Sequence, residues 1–208
     1  MHKTISQLRS VASALRRKLF HRVELRIMER PLSLADPIAP KGRSTQVPDV
    51  NDFPMKKATH EGVDELASYL DKEKIRTLHQ RVDDPNLDFV IRWTDEGTLM
   101  GYLMHALGPC YEELWNYTVD PGEGGAYQFD GWVNPAVRGQ LVGIAGFIFM
   151  FNRRRAEGYK HIRVLVRAHD IRSCRLHERF GFEDIGRLVY RHVGPFKWTR
   201  PLSTPQIS

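Results

Sequence analysis

Residues 133–145, Val-Asn-Pro-Ala-Val-Arg-Gly-Gln-Leu-Val-Gly-Ile-Ala, constrain this chain more than any other stretch. An aromatic, β-prone run, Tyr127–Val133, leads into them, and Asn134–Pro135 marks a turn. A glycine-spaced loop with Arg138 follows, and then a strongly apolar segment that reads as a helix over 140–156. Strand, tight turn and helix N-terminus together form an anion cradle, because the first N–H groups of a helix have no intrahelical partner and its dipole favours negative charge. Gly139 and Gly143 let a bulky anion come close to the backbone. The 140–156 helix ends in Arg153, Arg154 and Arg155 with Gly158 as its stop, and its apolar part is too short to span a bilayer.

On either side of this motif the pattern alternates between strands and helices. Strands are predicted at 53–58, 87–93, 99–106, 127–133, 161–166, 185–192 and 196–200. Helices are predicted at 64–71, 74–82 and 171–180, the last capped by Asp170 and stopped by Gly181. Thr94–Gly97 reads as a hairpin turn. The expected architecture is α/β, with a mixed, mostly antiparallel central sheet of about six or seven strands flanked by helices.

Charge divides the chain unevenly. Residues 1–22 carry Lys3, Arg9, Arg16, Arg17, Lys18 and Arg22 without an acid, whereas 106–137 carry Glu112, Glu113, Asp120, Glu123 and Asp130 without a base. The chain is thus a dipole with a basic tail. Ile5, Leu8, Val11, Leu15 and Leu19 predict an amphipathic helix over 4–20, with Val23–Met28 as a short strand after it. Such a helix suits a membrane surface, a transit peptide, or packing on its own domain or a partner, and its basic face also suits nucleic acid. Five prolines between 31 and 54 read as a linker. The expected organisation is a basic helical and proline-rich extension over 1–51, a compact domain over 52–200, and a tail over 201–208. Cys110 and Cys174 form neither a disulfide framework nor a metal spacing, which points to reduced thiols, a cytoplasmic protein and no metal.

Two blocks carry a family resemblance. Val133-x-Pro135-x-x-Arg138-Gly139-x-x-x-Gly143 is followed, one helix and one strand later, by Asp170-x-Arg172-x-x-x-Leu176-His177-Glu178-Arg179-Phe180-Gly181-Phe182. In this order they resemble the GNAT N-acetyltransferases over roughly residues 53–194. The resemblance implies the acyl-CoA N-acyltransferase fold, acetyl-CoA as co-substrate, and transfer of its acetyl group to a primary amine by direct attack in a ternary complex. Members of the family often form dimers, so a homodimer is one expected assembly.

Carried over residue by residue, the resemblance implies that Arg138, Gly139, Gln140, Leu141, Val142 and Gly143 hold the pyrophosphate. The backbone at Val133 pairs with the pantetheine arm and supplies an oxyanion donor. Leu141 stands where the family has a glycine, His177 where it has the tyrosine that often serves as general acid, and Asp170 where it usually has asparagine. An imidazole titrates near neutrality, so His177 is the candidate acid. Asp130 is the candidate acceptor of the amine proton. Asp170 and Arg175 are expected at the CoA side. The acidic, aromatic segment Tyr111–Glu123 points to a small cationic or amino-sugar-like acceptor. The other reading is a GNAT-fold acyl-CoA-binding or regulatory module with little turnover.

Overall fold

The structure, a computed structural model, describes residues 20–33, 55–94, 97–138 and 142–202. It contains an eight-stranded sheet covered by helices on both faces. In chain order the elements are β1 (Phe20–Pro31), β2 (Met55–Lys57), α1 (His60–Glu65), α2 (Lys72–Val82), β3 (Leu87–Trp93), β4 (Leu99–Ala106), β5 (Cys110–Glu112), β6 (Tyr117–Val119), β7 (Gly125–Val133), α3 (Val142–Ala156), β8 (His161–Arg167), α4 (Ile171–Arg179), β9 (Glu183–Val193) and β10 (Phe196–Leu202). The large sheet runs β10-β9-β1-β8-β7-β4-β3-β2, and β5 and β6 form a separate hairpin. Every pairing is antiparallel except β7 with β8.

β1 accounts for the strand beyond the expected six or seven. The short strand expected at Val23–Met28 is a twelve-residue strand between β8 and β9, so a boundary at residue 52 does not separate the extension from the sheet. Its residues explain this placement. Val23, Leu25 and Met28 are buried, while Glu24, Arg26 and Glu29 find opposite charges in Arg187, Asp184 and Arg163 on the neighbouring strands. Cross-strand charge pairs of this kind favour one register. The helix expected over 4–20 lies outside the described residues, apart from Phe20, which begins β1.

The apolar α3 packs on one face of the sheet with α4. Phe147, Phe151, Phe180 and Phe182 meet Met28, Ile162 and Val166 there. Within this core Arg154, 1% exposed, pairs with the buried Asp88 of β3 and with Glu157. On the other face, α1 and α2 cover Phe89, Ile91, Tyr102, Met104, Tyr127 and Phe129. The ends of α4 are set by sequence as expected. Asp170 accepts a bond from Ser173 N–H at 3.0 Å, and Gly181, at φ +82°, turns the chain out of the helix.

Candidate active site

Two irregularities in β7 open the sheet. β7 and β8 pair only from Gly125–His161 to Gln128–Val164, and beyond Gln128 they diverge. The edge of β7 facing β8 is therefore unpaired past that point, leaving N–H and C=O groups that need partners. On its other side β7 bulges against β4, where the register shifts between Tyr102 and Met104. Asp130 sits in this bulge at φ +46°, a conformation rare for a residue with a side chain.

A cleft of about 800 Å³ lies where the strands part. One wall consists of Val133, Val142, Gly143, Gly146, Phe147 and His177. A Cβ added at Gly143 would meet only Val133 Cγ2 at 3.7 Å, and one at Gly146 would come no nearer than Met55 Cε at 3.8 Å. Side chains at either position would thus occupy cleft volume. The turn before α3 is fastened to β4, since Asn134 donates to Leu99 O at 2.8 Å and its N–H reaches Met100 O at 2.8 Å.

The opposite wall is charged. Lys74 and Arg81 lie seven residues apart on one face of α2, and both reach Oδ2 of Asp130, Lys74 at 2.5 Å. Tyr102 donates to Oδ1 of Asp130 at 3.0 Å. Arg81 also stacks over Phe129, 5.1 Å from its centroid. The β5–β6 hairpin closes this side. Its buried Trp115 packs edge-on against Tyr190, and the hairpin carries Glu112 into the cleft. Glu112 Oε1 accepts from Tyr127 Oη at 2.7 Å, while Oε2 makes no hydrogen bond among the described residues. Burial raises the pKa of the Glu112 carboxyl, and burial beside Glu112 raises that of the Tyr127 phenol.

Residues 54–182 match the acetyltransferase (GNAT) family. The chain belongs to that family. Solved structures of other GNAT proteins share its fold. The GCN5-related N-acetyltransferase from Sphaerobacter thermophilus is 20% identical with a TM-score of 0.51, over 96% of this chain and 58% of that one. A tandem GNAT protein from the clavulanic acid biosynthesis pathway is 16% identical with a TM-score of 0.54, over 94% of this chain and 59% of the other. This GNAT chain therefore spans about three fifths of the length of those proteins. No curated protein matches it.

Of the residues singled out in the sequence, the GNAT cleft brings together Val133, Val142, Gly143, Asp130 and His177. Gly139, Gln140 and Leu141 lie outside the described residues. Arg138 is exposed and turns back so that its Nε donates to Val133 O at 3.3 Å. Asp170 is spent on capping α4, Arg175 is exposed, and neither lines the cleft.

His177 is buried, with Nδ1 2.8 Å from the Ser173 carbonyl. A carbonyl only accepts, so Nδ1 carries the proton and Nε2 is a bare lone pair, 3.4 Å from the Gln128 amide nitrogen. Burial lowers the pKa of this imidazole. As held, His177 accepts from Gln128 through Nε2 and spends its one N–H on Ser173, so it has no N–H to offer the cleft. Gln128 continues the chain to His105, which is fully buried and depressed to about 3 by burial and by Arg154.

Sequence reasoning named the acids of this site but not Lys74, Arg81, Tyr102 or Tyr127. The seven-residue spacing of Lys74 and Arg81 was the one available signal. With Arg92 and Lys197, which also line the cleft, they supply the cations that segment 106–137 lacks.

Proposed function

We propose that this protein is an acyl-CoA-dependent N-acyltransferase that passes an acetyl group directly to a primary amine in a ternary complex. The parting of β7 and β8 over a glycine-floored cleft carries this reading. The unpaired edge of β7 offers hydrogen-bonding groups to the amides of an extended pantetheine arm. Val142 and Gly143, the first described residues of α3, put the N-terminal end of a helix, with its dipole, toward its phosphates. When bound, acyl-CoA supplies the thioester carbonyl, and a β7 N–H near Val133 stabilises the developing oxyanion. Neither cysteine lines the cleft, in keeping with direct attack rather than an acyl-enzyme.

Glu112 is the base in this reading. Both oxygens of Asp130 are engaged by Tyr102, Lys74 and Arg81. Glu112 keeps one oxygen without a hydrogen bond among the described residues, and its raised pKa brings its basicity closer to neutrality. It takes one proton from the incoming ammonium, the nitrogen attacks the carbonyl carbon, the carbon–sulfur bond breaks, and the second N–H proton ends on sulfur. Glu112 and the exposed Glu113 draw a cationic amine to the hairpin side.

The test uses purified protein with acetyl-CoA and a panel of primary amines, read by thiol release and by thermal shift. Stabilisation by acetyl-CoA together with amine-dependent thiol release is expected. Absence of both overturns the proposal.

A further inference from the structure

The charges of the α2 wall do not balance. Two cations, Lys74 and Arg81, converge on a single oxygen of Asp130, whose other oxygen is taken by Tyr102. Both oxygens of Asp130 are engaged, and its single negative charge neutralises one of the two positive charges. Beyond Asp130, the Lys74 ammonium makes no hydrogen bond among the described residues, and the Arg81 guanidinium makes only a long contact of 3.8 Å from Nη1 to Met104 Sδ. Both remain partly open to the cleft, with side-chain exposures of 30% and 23%.

The other acids of the cleft do not cancel the surplus. Asp71 is exposed, caps α2 through the Lys74 backbone N–H, and among the described residues forms no ion pair with Lys74 or Arg81. Glu73 and Glu113 are exposed at the rim, where solvent screens them. Glu112 lies on the hairpin side and holds Tyr127. The acceptor side of the cleft thus has two poles: a surplus cation with spare N–H donors on α2, and a carboxylate on the hairpin.

We propose that the acceptor is an amine that also bears a carboxylate, an amino-acid-like zwitterion, with its carboxylate held by Lys74 and Arg81 and its ammonium turned to Glu112. This rests on the acyltransferase reading and narrows it. A surplus of one positive charge matches a monoanion, so a carboxylate fits better than a phosphate dianion. Arg81, kept planar over Phe129, presents the forked donor geometry that suits a carboxylate. A polycation such as a polyamine or an aminoglycoside brings like charge against this wall.

The experiment compares matched acceptors with and without the carboxylate: lysine against cadaverine, and other amino acids against their decarboxylated amines, with spermidine and kanamycin as polycations. Turnover is measured by thiol release from acetyl-CoA. Binding is measured separately by calorimetry in the presence of CoA, on the wild-type protein and on Lys74→Met. The carboxylated member of a pair is expected to have a kcat/KM at least about tenfold higher, the factor that one charge-assisted hydrogen bond supplies, and Lys74→Met should abolish that preference chiefly through KM.

Equal or better use of cadaverine or the polycations overturns the inference and leaves the acyltransferase reading standing. So does a preference that survives in Lys74→Met. Selective binding of the carboxylated amines, lost in Lys74→Met, without turnover of any amine sustains the anion subsite and overturns the acyltransferase reading. Binding and turnover of none of the panel overturns the inference.

Discussion

Glu112→Gln isolates the proton-accepting step from the architecture around it. The amide keeps an oxygen where Glu112 Oε1 now accepts from Tyr127 at 2.7 Å, so the hairpin retains its tie to β7. What is lost is the free basic oxygen. General-base catalysis contributes typically 10²–10⁴-fold, so kcat/KM should fall by about that factor, or roughly 3–5 kcal/mol of barrier. Folding stability should move the other way. The Glu112 carboxyl has a raised pKa in the folded state, so the folded protein holds that proton more tightly than the unfolded chain does. The stability it contributes is complete below the unfolded pKa and is lost as pH rises through the folded one. Gln removes this loss, and the variant should melt at or above the wild-type temperature at neutral pH. The assay is thiol release across the pH range with the best amine of the panel, beside thermal melts. The wild type should show a rising limb in kcat/KM that the variant lacks. A variant that retains kcat/KM within about threefold, or keeps the limb, refutes the assignment of Glu112 as base.

Three other perturbations probe the donor side, the sheet and the buried relay. Gly146→Leu places a side chain in the cleft without a backbone clash and adds about 1 kcal/mol of helix propensity; the fold should persist, while the stabilisation by acetyl-CoA, about 2.7 kcal/mol at a hundred times Kd, should vanish in thermal shift. Met28→Ala in β1 empties a fully buried position at the α3–α4 face and should cost about 2–5 kcal/mol in urea unfolding; a loss near zero would show that β1 is peripheral. His105, held neutral down to about 3, binds its proton in the unfolded chain near its ordinary pKa of about 6.5, so stability should fall on acidification between those values by up to about 1.4 kcal/mol per pH unit, and His105→Gln should flatten that slope in pH-dependent melts.

Local signals carried much of the architecture. Leu87–Trp93 and Leu99–Ala106 occur as read, because an apolar, β-branched and aromatic run is bounded by turn residues at each end. The caps of α4 were legible for the same reason, since Asp170 and Gly181 act within a few residues of where they stand. β1 was legible only as a short strand. Its buried apolar residues are interleaved with Glu24, Arg26 and Glu29, whose partners lie far along the chain, and the proline-rich stretch after it resembles a linker. The site divides in the same way. Glu112 and Asp130 are equivalent in sequence as acids of one segment. Only the packing of α2 across β7 engages Asp130 with Lys74 and Arg81, and only the hairpin sets Glu112 beside Tyr127. His177 shows the same limit, because the family resemblance pointed to its position but not to which of its nitrogens carries the proton.

The place of β1 in the sheet also governs when the protein can fold. During synthesis β1 emerges before the other described strands, yet its neighbours are β8 and β9; Leu25 must wait for both Arg167 and Leu188. Closing so long a loop is an entropic cost met before any contact repays it, and such topologies fold slowly. Until β8 is made, β1 has two unpaired edges, and until β9 returns it keeps one and leaves Leu25 short of its full burial, a surface on which nascent chains can associate. The β9-β1-β8 part of the sheet is thus completed only once β9 has been made, and the yield of native protein in a cell should depend more on temperature and chaperone supply during that interval than on the stability of the finished fold.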